Sequence, residues 1–410
     1  MIQDIQAINV MYHGRRVGTL STGSKHVCQF EYDKDWLADG FSISPLKLPL
    51  KSGIMTADYS PFEGNFGVFE DSLPGGYGEY LLRKVLGKSG INYGTLTPVQ
   101  RLSLVGSSGM GALCYVPETP MPRHDWQGTE QREPSELARR WPSRDGTRQR
   151  QGSFDDMQQM ALEVLSEKTM VSTNRPMVST NRPMVSTNRP DNHADILFYR
   201  SGNSGGVRPK CIFTDAEGHW LVKFRHTYDP KNIGEIEYQY NKVARQCGIV
   251  VPNFKLIEGK YFASRRFDIE DGQRLHVVTA SGLLNEPIRP PKMDYHSLLQ
   301  LTGYLTQSPA EVEQQFRRMA FNVYARNHDD HARNFSFICR DGKWTLAPAY
   351  DLTNDDTLGE HASTVNFKGI PTDEDMITVG TNIRITRARC LVIIEEVREG
   401  TKELNRIISK

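Results

Sequence analysis

The chain has 410 residues, of which 38% are hydrophobic and 24% are charged, and its formal net charge is +1. This length predicts two or three domains, and the almost neutral charge gives no sign of direct nucleic-acid binding. No apolar run approaches the ~20 residues that a membrane-spanning helix needs. The N-terminus lacks the pattern of a secretory signal, and the six cysteines form no CxxC pair. Both features predict a cytoplasmic protein with reduced thiols.

The first part of the chain, residues 1–118, is predicted to form a small, mainly β N-terminal domain. In chain order, its predicted elements are a hairpin from 8–12 and 17–20, extended segments at 41–50, 102–105 and 112–116, and a helix at 75–88. The Gly-rich stretch at 106–111 leads into an extended segment rather than a helix. We interpret it as a turn and not as a phosphate site.

Residues 119–190 have the composition of a linker, rich in Pro, Arg, Glu, Gln and Ser, with one helical pattern at 154–168. Three copies of MVSTNRP follow at 170–176, 177–183 and 184–190. A proline in every copy excludes a continuous helix, so we expect an exposed tract. Two interpretations stay open: an expanded linker without chemistry, or a phosphorylation target, since each copy places Ser and Thr near Arg.

The rest of the chain predicts an α+β, two-lobed domain with a cleft between its lobes. Residues 191–290 form the predicted β-rich N-lobe, with strands at 210–214 and 219–224, a helix at 232–247, and a hairpin from 250–257 and 261–267. Residues 291–410 form the predicted helical C-lobe, with helices at 295–305, 309–327, 373–379 and 385–397.

The strongest chemical signal is HDDHARN at 328–334, followed by AYD at 349–351. A hairpin at 335–347, with Asp341 and Gly342 in its turn, should bring Asn334 and Asp351 together. Asp329, expected at the end of a helix, would point to the same place. Oxygen ligands of this kind suit Mg²⁺. The spacing from Asp329 to Asn334 is that of a protein-kinase catalytic loop.

The same segment is compatible with two different roles. The Asp and Asn residues that flank the hairpin can simply cap helices and turns, and we prefer this role for Asp330, Asn354 and Asp355. His328 and His331, three residues apart, can instead belong to an HD-type metallohydrolase site. No second His-Asp pair has comparable surroundings, so a structural role for His331 is the better interpretation.

A nucleotide-binding region is predicted from the Gly-rich sequence SGNSGGVRPK at 201–210, which precedes a pair of strands. Glycines there allow backbone N–H groups to approach phosphates. Lys223 lies inside the second apolar strand, where a charge needs a partner. We expect Lys223 to touch phosphates and pair with Glu237 on the next helix, with Glu235 as the second choice. The alternative is an edge-strand lysine that prevents aggregation.

Together these parts resemble the HipA family, the kinase toxins of bacterial toxin–antitoxin systems. The resemblance rests on YHGRRVGTL at 12–20, GMGAL at 109–113, GGVRPK at 205–210, RFD at 266–268, DDHARN at 329–334 and YD at 350–351. It covers nearly the whole chain except about 119–190. The sequence departs from the family at Arg265, where a glutamate is frequent, and in its repeats. Tyr350-Asp351-Leu352 is also not DFG.

The resemblance implies a serine/threonine protein kinase that uses ATP and Mg²⁺. Asp329 would be the catalytic base, Asn334 and Asp351 the metal ligands, and Lys223 the ATP-phosphate lysine. The resemblance also implies ATP contacts from Gly205 and Gly206 and from a hinge at 265–268 that includes Arg265 and Phe267, and autophosphorylation of Ser204 or Ser201. Expected partners are a HipB-like helix-turn-helix antitoxin, operator DNA through that antitoxin, and a substrate such as an aminoacyl-tRNA synthetase. The alternative is a degenerate HipA-like binding protein.

Overall fold

A computed structural model describes residues 2–118, 153–172, 193–201, 205–355 and 359–408. The repeat copies from residue 173 onward and the predicted linker at 119–152 lie outside these residues. Among the described residues, no helix combines the length and apolarity that crossing a membrane requires.

The N-terminal domain is built on a five-stranded antiparallel sheet. Its strands are β1 (Ala7–Tyr12), β2 (Arg15–Thr22), β3 (Cys28–Tyr32), β4 (Met55–Thr56) and β5 (Leu113–Pro117), in the order β4-β3-β2-β1-β5. Its helices are α1 (Lys34–Asp39), α2 (Gly67–Glu70), α3 (Tyr77–Lys88) and α4 (Pro98–Val105). The predicted hairpin and the helix at 75–88 are confirmed.

Two extended segments predicted in this domain are wrong. Residues 102–105 belong to α4, whose start is fixed by a capping box between Thr97 and Gln100 and by Pro98 in the first turn. These are sequence signals for a helix start that outweigh the apolar run. Residues 41–50 form a loop with one isolated bridge, because Pro45 and Pro49 remove two backbone donors.

Two helices, α5 (Phe154–Ser172) and α6 (His193–Ser201), precede the small lobe of the two-lobed domain. Its strands are β6 (Lys210–Asp215), β7 (Gly218–Lys223), β8 (Phe254–Ile257) and β9 (Tyr261–Arg265), in the order β6-β7-β9-β8, with helix α7 (Ile233–Gln246) packed on β8 and β9. Part of the predicted linker is therefore structured, since α5 lies against this lobe. Gln158 of α5 bonds both backbone groups of Arg225, at 2.6 and 2.9 Å.

The large lobe combines helices with a second, smaller sheet. Its elements, after the short pair β10 (Ile269–Glu270) and β11 (Gln273–Arg274), are β12 (His276–Thr279), α8 (Ala280–Leu284), α9 (Tyr295–Thr306), α10 (Pro309–Tyr324), β13 (Ser336–Arg340), β14 (Lys343–Leu346), α11 (Asp373–Asn382) and α12 (Arg387–Ile408). The order β12-β13-β14 carries this sheet across the boundary predicted at 290. The boundaries at 118, 190 and 290 stay predictions.

Two apolar cores connect the N-terminal domain to both lobes. The larger core joins the five-stranded sheet to α7 and to the helices of the large lobe. The second core joins α3 to α5, α6 and the four-stranded sheet, through buried side chains such as Leu81, Leu82, Ala161 and Val222. The N-terminal domain therefore packs against both lobes beside the cleft between them.

Candidate active site

Lys223 ends β7, an internal strand between β6 and β9. Its side chain is only 10% exposed, and its Nζ lies 3.0 Å from Oε2 of Glu237 in α7. The expected partner is therefore the observed one, whereas Glu235 is exposed. The interpretation of Lys223 as an edge-strand lysine is wrong, because an internal strand has no free edge to protect.

The ammonium of Lys223 also forms an ion pair with Asp351 of the large lobe. Burial alone would lower the pKa of Lys223, but the carboxylates of Asp351 and Glu237 outweigh it and raise that pKa. Lys223 therefore stays protonated in the protein, as an ammonium between one carboxylate of each lobe.

The loop that carries Asp329 is closed by its own side chains. Helix α10 ends at Tyr324, so Asp329 lies in the following loop and not at the helix end as expected. Asn334 donates from Nδ2 to the backbone oxygen of Asp329, at 2.7 Å. The hairpin predicted after it is confirmed, with a two-residue turn in which Asp341 and Gly342 both have positive φ, 49° and 84°.

A tyrosine next to Asp351 ties the two halves of the motif together. The hydroxyl of Tyr350 donates to the backbone oxygen of Arg333 at 2.6 Å and lies 2.6 Å from the Ser336 hydroxyl. Asp351 itself has φ of 57°, a left-handed conformation that only a few residue types adopt readily. The hairpin therefore brings Asp351 back beside the loop of Asp329 and Asn334.

Asp329 and Asp351 have opposite electrostatic environments. Partial burial, followed by the nearby carboxylates of Asp351 and Asp355, raises the pKa of Asp329 to about 7. Burial also opposes ionisation of Asp351, but the Lys223 and Lys210 ammonium groups hold the pKa of Asp351 far below its usual range. One carboxylate can therefore exchange a proton near neutral pH, while the other is a permanent anion.

Asp330 is completely buried and anchors the loop from behind. Its carboxylate accepts hydrogen bonds from the Tyr295 hydroxyl at 2.8 Å, from His361 Nδ1 at 3.0 Å and from the Ser363 amide at 3.0 Å. Our interpretation of Asp330 as a simple turn cap is wrong. Its partners are more than 30 residues away in sequence, so local spacing carried no signal for them.

The Gly-rich segment at 201–210 contributes two more cationic side chains, Arg208 and Lys210, to the site. Lys210 is the cross-strand neighbour of Lys223 and donates to the backbone oxygen of Gly205. Burial is the main reason that the pKa of Lys210 falls to about 8. Arg208 pairs with Asp229 at 3.0 Å and with Glu237 at 3.3 Å. The sequence analysis missed Arg208 and Lys210, although an Arg-Pro-Lys triplet directly before a strand was a visible signal.

The two predicted autophosphorylation sites differ in what the structure describes. Ser201 is the last residue of α6 and is 1% exposed. Ser204 lies outside the described residues. Gly205 and Gly206 are described, and Gly206 has a positive φ of 88°.

Only part of the predicted hinge at 265–268 lies close to the site formed by Lys223, Asp329 and Asp351. The Phe267 ring packs on Tyr350, with 5.5 Å between ring centroids. The Arg265 side chain instead lies beside Gly218, at the opposite end of β7 from Lys223. The backbone amide of Arg265 is bonded to the Asn253 carbonyl at 2.7 Å. The structure therefore brings Phe267 to the large-lobe side of the site and leaves the Arg265 side chain away from it.

The two histidines of the motif have separate surroundings. His331 Nε2 lies 3.7 Å from Asp329 Oδ1, and burial lowers the pKa of His331. The His328 ring packs edge-on against His361, with centroids 4.6 Å apart. In the part of the chain that the structure describes, no three His, Cys, Asp or Glu side chains form a metal-holding cluster. The metallohydrolase alternative has no support among these residues.

Comparison with known proteins decides the family. The model of the HipA-like C-terminal domain matches residues 202–404, and that of the HipA N-terminal domain matches residues 8–116. The chain belongs to the HipA family. The resemblance to the HipA family and the α+β fold predicted from the order of the elements are both confirmed.

The HipA fold extends over the chain as a whole. A solved complex of Shewanella oneidensis MR-1 HipA with HipB and its operator DNA contains a chain with 17% identity and a TM-score of 0.64, covering 98% of this chain and 90% of that one. The Helicobacter pylori proinflammatory kinase CtkA has 15% identity and a TM-score of 0.35, covering 50% of this chain and 90% of that one.

A curated relative matches over a shorter region. The Sinorhizobium fredii protein named "Putative kinase Y4dM" is 26% identical over 170 residues, which are 37% of this chain. The match spans 41% of the length of that relative.

Proposed function

We propose that this HipA-family protein is an ATP- and Mg²⁺-dependent kinase that phosphorylates serine or threonine hydroxyls of proteins. The observation that carries this proposal is the position of Lys223, which pairs with Glu237 of the small lobe and Asp351 of the large lobe. This arrangement places a positive charge opposite the loop of Asp329 and Asn334. A lysine–glutamate pair facing a loop with an Asp and an Asn is the layout by which protein kinases transfer phosphate from ATP.

The binding of the triphosphate would rest on charge and backbone groups. Lys210, Lys223 and Arg208 supply positive charge for its oxygens, and Gly205 and Gly206 allow close backbone approach. The carboxylate of Asp351 and the amide oxygen of Asn334 are the hard oxygen donors that Mg²⁺ prefers. When bound, Mg²⁺ would neutralise the charge of the phosphates.

Asp329 is the residue that we assign to the proton. The hydroxyl of the substrate would donate its proton to the Asp329 carboxylate as its oxygen bonds to the γ-phosphorus. The bond from that phosphorus to the bridging oxygen of ATP would break in the same step, and ADP would leave with the electron pair of that bond. With a pKa of about 7, Asp329 is partly ionised at neutral pH and can also hold the proton once it arrives. Asp330 holds the backbone of this loop in place through its three buried hydrogen bonds.

The toxin–antitoxin context is part of the same proposal. The related Shewanella HipA was solved with HipB and operator DNA, and we extend a HipB-like partner to this chain. Because the net charge here is only +1, we assign DNA contact mainly to the antitoxin. For the substrate we propose a cytoplasmic translation component such as an aminoacyl-tRNA synthetase.

Autophosphorylation is proposed on Ser204. Ser201 is the other candidate, but it is buried at the end of α6, and phosphorylation there would require that helix end to open. The repeat serines and threonines are a separate candidate target.

The test is incubation of the purified protein with Mg-ATP, followed by mass spectrometry of its peptides, with the variant Asp329→Asn as control. We expect phosphate on Ser204 in the wild type and a loss of transfer by about 10²–10⁴-fold in the variant, which should still bind ATP. Wild-type protein that binds ATP but transfers no phosphate, to itself or to candidate synthetases, would instead indicate the degenerate binding protein.

A further inference from the structure

We propose that residues 70–77 of the N-terminal domain form an interdomain latch that holds both the Gly-rich loop and the catalytic loop of the proposed kinase site. This inference rests on the proposed function, and it makes the N-terminal domain a positioning element of the ATP site. The segment runs from the end of α2 to the start of α3, where the N-terminal domain packs beside the cleft.

One end of the latch contacts the Gly-rich loop. The backbone amide of Tyr77 donates to the backbone oxygen of Gly206, at 3.0 Å. The first amides of a helix have no partner within the helix, so α3 can use this one to bind the loop. The backbone oxygen of Gly205, the preceding residue, accepts a hydrogen bond from the buried Lys210. Two successive residues of the loop are thus held, one by the N-terminal domain and one by a lysine of the small lobe.

Gly76 is required by both its backbone and its surroundings. Its φ of 54° and ψ of −111° are accessible mainly to glycine. A Cβ at this position would lie 2.4 Å from the Gly206 oxygen and 3.1 Å from Val207 Cα. Both contacts are with backbone, which has no flexible side chain to move away. Any side chain at residue 76 would therefore push the Gly-rich loop off α3.

The other end of the latch contacts the catalytic loop. Arg333, which lies between Asp329 and Asn334 in sequence, donates from Nη2 to the backbone oxygen of Glu70 at 3.4 Å. Its guanidinium also lies 3.6 Å from the Glu70 carboxylate and 3.9 Å from that of Asp71. A Cβ at Gly75 would lie 3.2 Å from Arg333 Nη1, so the backbone passes close to this side chain.

Asp71 extends the same end of the latch into the large lobe. Its carboxylate accepts hydrogen bonds from the backbone amide and the hydroxyl of Thr279, at 2.7 and 2.8 Å. Thr279 is the N-cap of α8, and β12 before it pairs with β13, the strand that follows Asn334. The N-terminal domain therefore contacts the catalytic loop directly at Arg333 and the adjoining sheet at Thr279.

These contacts couple the position of the N-terminal domain to the binding of ATP. Within eight residues, one segment contacts a loop of the small lobe and a loop of the large lobe. A change that moves this segment should weaken ATP binding, and bound ATP should in turn hold the N-terminal domain more firmly. A partner bound to the N-terminal domain would then control the kinase site through residues 70–77.

The chain offers a closely matched pair of variants, Gly76→Ala and Gly106→Ala. Gly106 has φ of 54° and ψ of −116°, almost the backbone conformation of Gly76, but a Cβ added at Gly106 would meet none of the described residues within 4 Å. Both variants should therefore suffer the same backbone strain. We expect Gly76→Ala to raise the Kd for Mg-ATP by about 10-fold or more and Gly106→Ala to change it by less than about 2-fold. Equal Kd values for the two variants would overturn the proposal.

Hydrogen exchange of the protein without nucleotide gives a readout that does not depend on kinase activity. Amides of residues 205–210 should exchange faster in Gly76→Ala than in Gly106→Ala, because only the first variant displaces the loop. Unchanged exchange at these residues would overturn the latch even if the protein is a kinase. Faster exchange in a protein that transfers no phosphate would support the latch and contradict only the proposed function.

Arg333→Gln tests the contact between the latch and the catalytic loop. It also keeps the proposal testable if Gly76→Ala does not fold. It keeps a polar side chain but removes the charge that faces Glu70 and Asp71. We expect kcat to fall by about 10-fold while the Kd for ATP stays within about 2-fold, and the amides of residues 328–335 to exchange faster. Unchanged kcat together with unchanged exchange would overturn this end of the latch.

Discussion

Lys223 and Asp351 come from different lobes, 128 residues apart in sequence, and form an ion pair across the cleft. Glu237 lies 3.0 Å from the same ammonium on the small-lobe side. The Lys223 ammonium thus bridges helix α7 of the small lobe and Asp351 of the large lobe. Its removal should affect both the stability of the folded protein and the proposed binding of Mg-ATP.

Lys223→Met should destabilise the protein by about 3 kcal/mol, because it removes a buried cation that pairs with the buried Glu237 and the half-buried Asp351. It should also remove detectable Mg-ATP binding. Denaturant unfolding and nucleotide titration measure these two effects. Lys255→Met is the control: its partners Asp215 and Glu217 are on a more exposed surface, so its removal should cost less than about 1 kcal/mol. Equal losses for the two variants would contradict the buried role of Lys223.

The pairing of Lys223 with Glu237 can be tested by a double variant. Lys223→Met combined with Glu237→Gln should lose less stability than the sum of the two single variants, since each change alone already removes the ion pair between these two side chains. The free energy of unfolding of all four proteins measures this difference. Simple additivity would show that the two side chains do not interact in solution.

Asp330→Asn should lower both stability and turnover. It replaces a carboxylate that accepts three buried hydrogen bonds by an amide that cannot accept all of them, and we expect a loss of about 2–3 kcal/mol. Because Asp330 positions the loop of Asp329, kcat should fall while the Kd for ATP changes little. Tyr295→Phe removes only one of these bonds and should cause a smaller loss. A larger effect in Tyr295→Phe would point to a different anchor.

The pKa of Asp329 predicts a pH-dependent stability in the protein without metal or nucleotide. The pKa of this carboxyl is about 7 in the folded chain and near its ordinary value of 3.8 when unfolded. The unfolded state therefore ionises first, and the wild type loses stability as pH rises from about 4 to 7. Asp329→Asn lacks this loss, so its advantage over the wild type should grow through that window and then stay constant.

Solvent limits the size of this effect. The Asp329 side chain is 42% exposed, so screening should reduce the advantage of Asp329→Asn at pH 8 to about 1 kcal/mol. Denaturant unfolding of both proteins at pH 4.5, 6 and 8 checks the prediction. An advantage that does not change with pH would mean that Asp329 titrates as an ordinary carboxyl.

Gln158→Ala tests whether α5 is part of the small lobe. Gln158 satisfies both the amide and the carbonyl of Arg225, so its loss should cost about 1–2 kcal/mol. Gln159→Ala, one residue later, changes an exposed side chain whose partner Glu163 is on the same helix, and should be almost neutral. If both variants have the same free energy of unfolding as the wild type, the two hydrogen bonds of Gln158 do not contribute to the stability of the lobe.

Much of the fold was predictable because its signals are local. The turn at Asp341 and Gly342, the apolar face of α7 and the strands on either side of 215–218 all follow from residues close in sequence. One prediction failed although its signal was also local. Thr97 and Gln100 have the pattern of a helix cap, but the apolar run at 102–105 was interpreted as extended. At the site, Lys223 and Glu237 were predictable because a lysine in an apolar strand demands an acidic partner nearby.

The sequence by itself determined which side chains carry charge and which local elements present them. Only the tertiary structure decided that Asp330 is bonded to His361, that Arg333 faces Asp71 and that Gly76 touches Gly206. These contacts join segments that are 31 to more than 200 residues apart, so no periodicity or spacing encodes them. They arise when two apolar cores pack the N-terminal domain against both lobes, and packing of this kind depends on the shape of the whole chain.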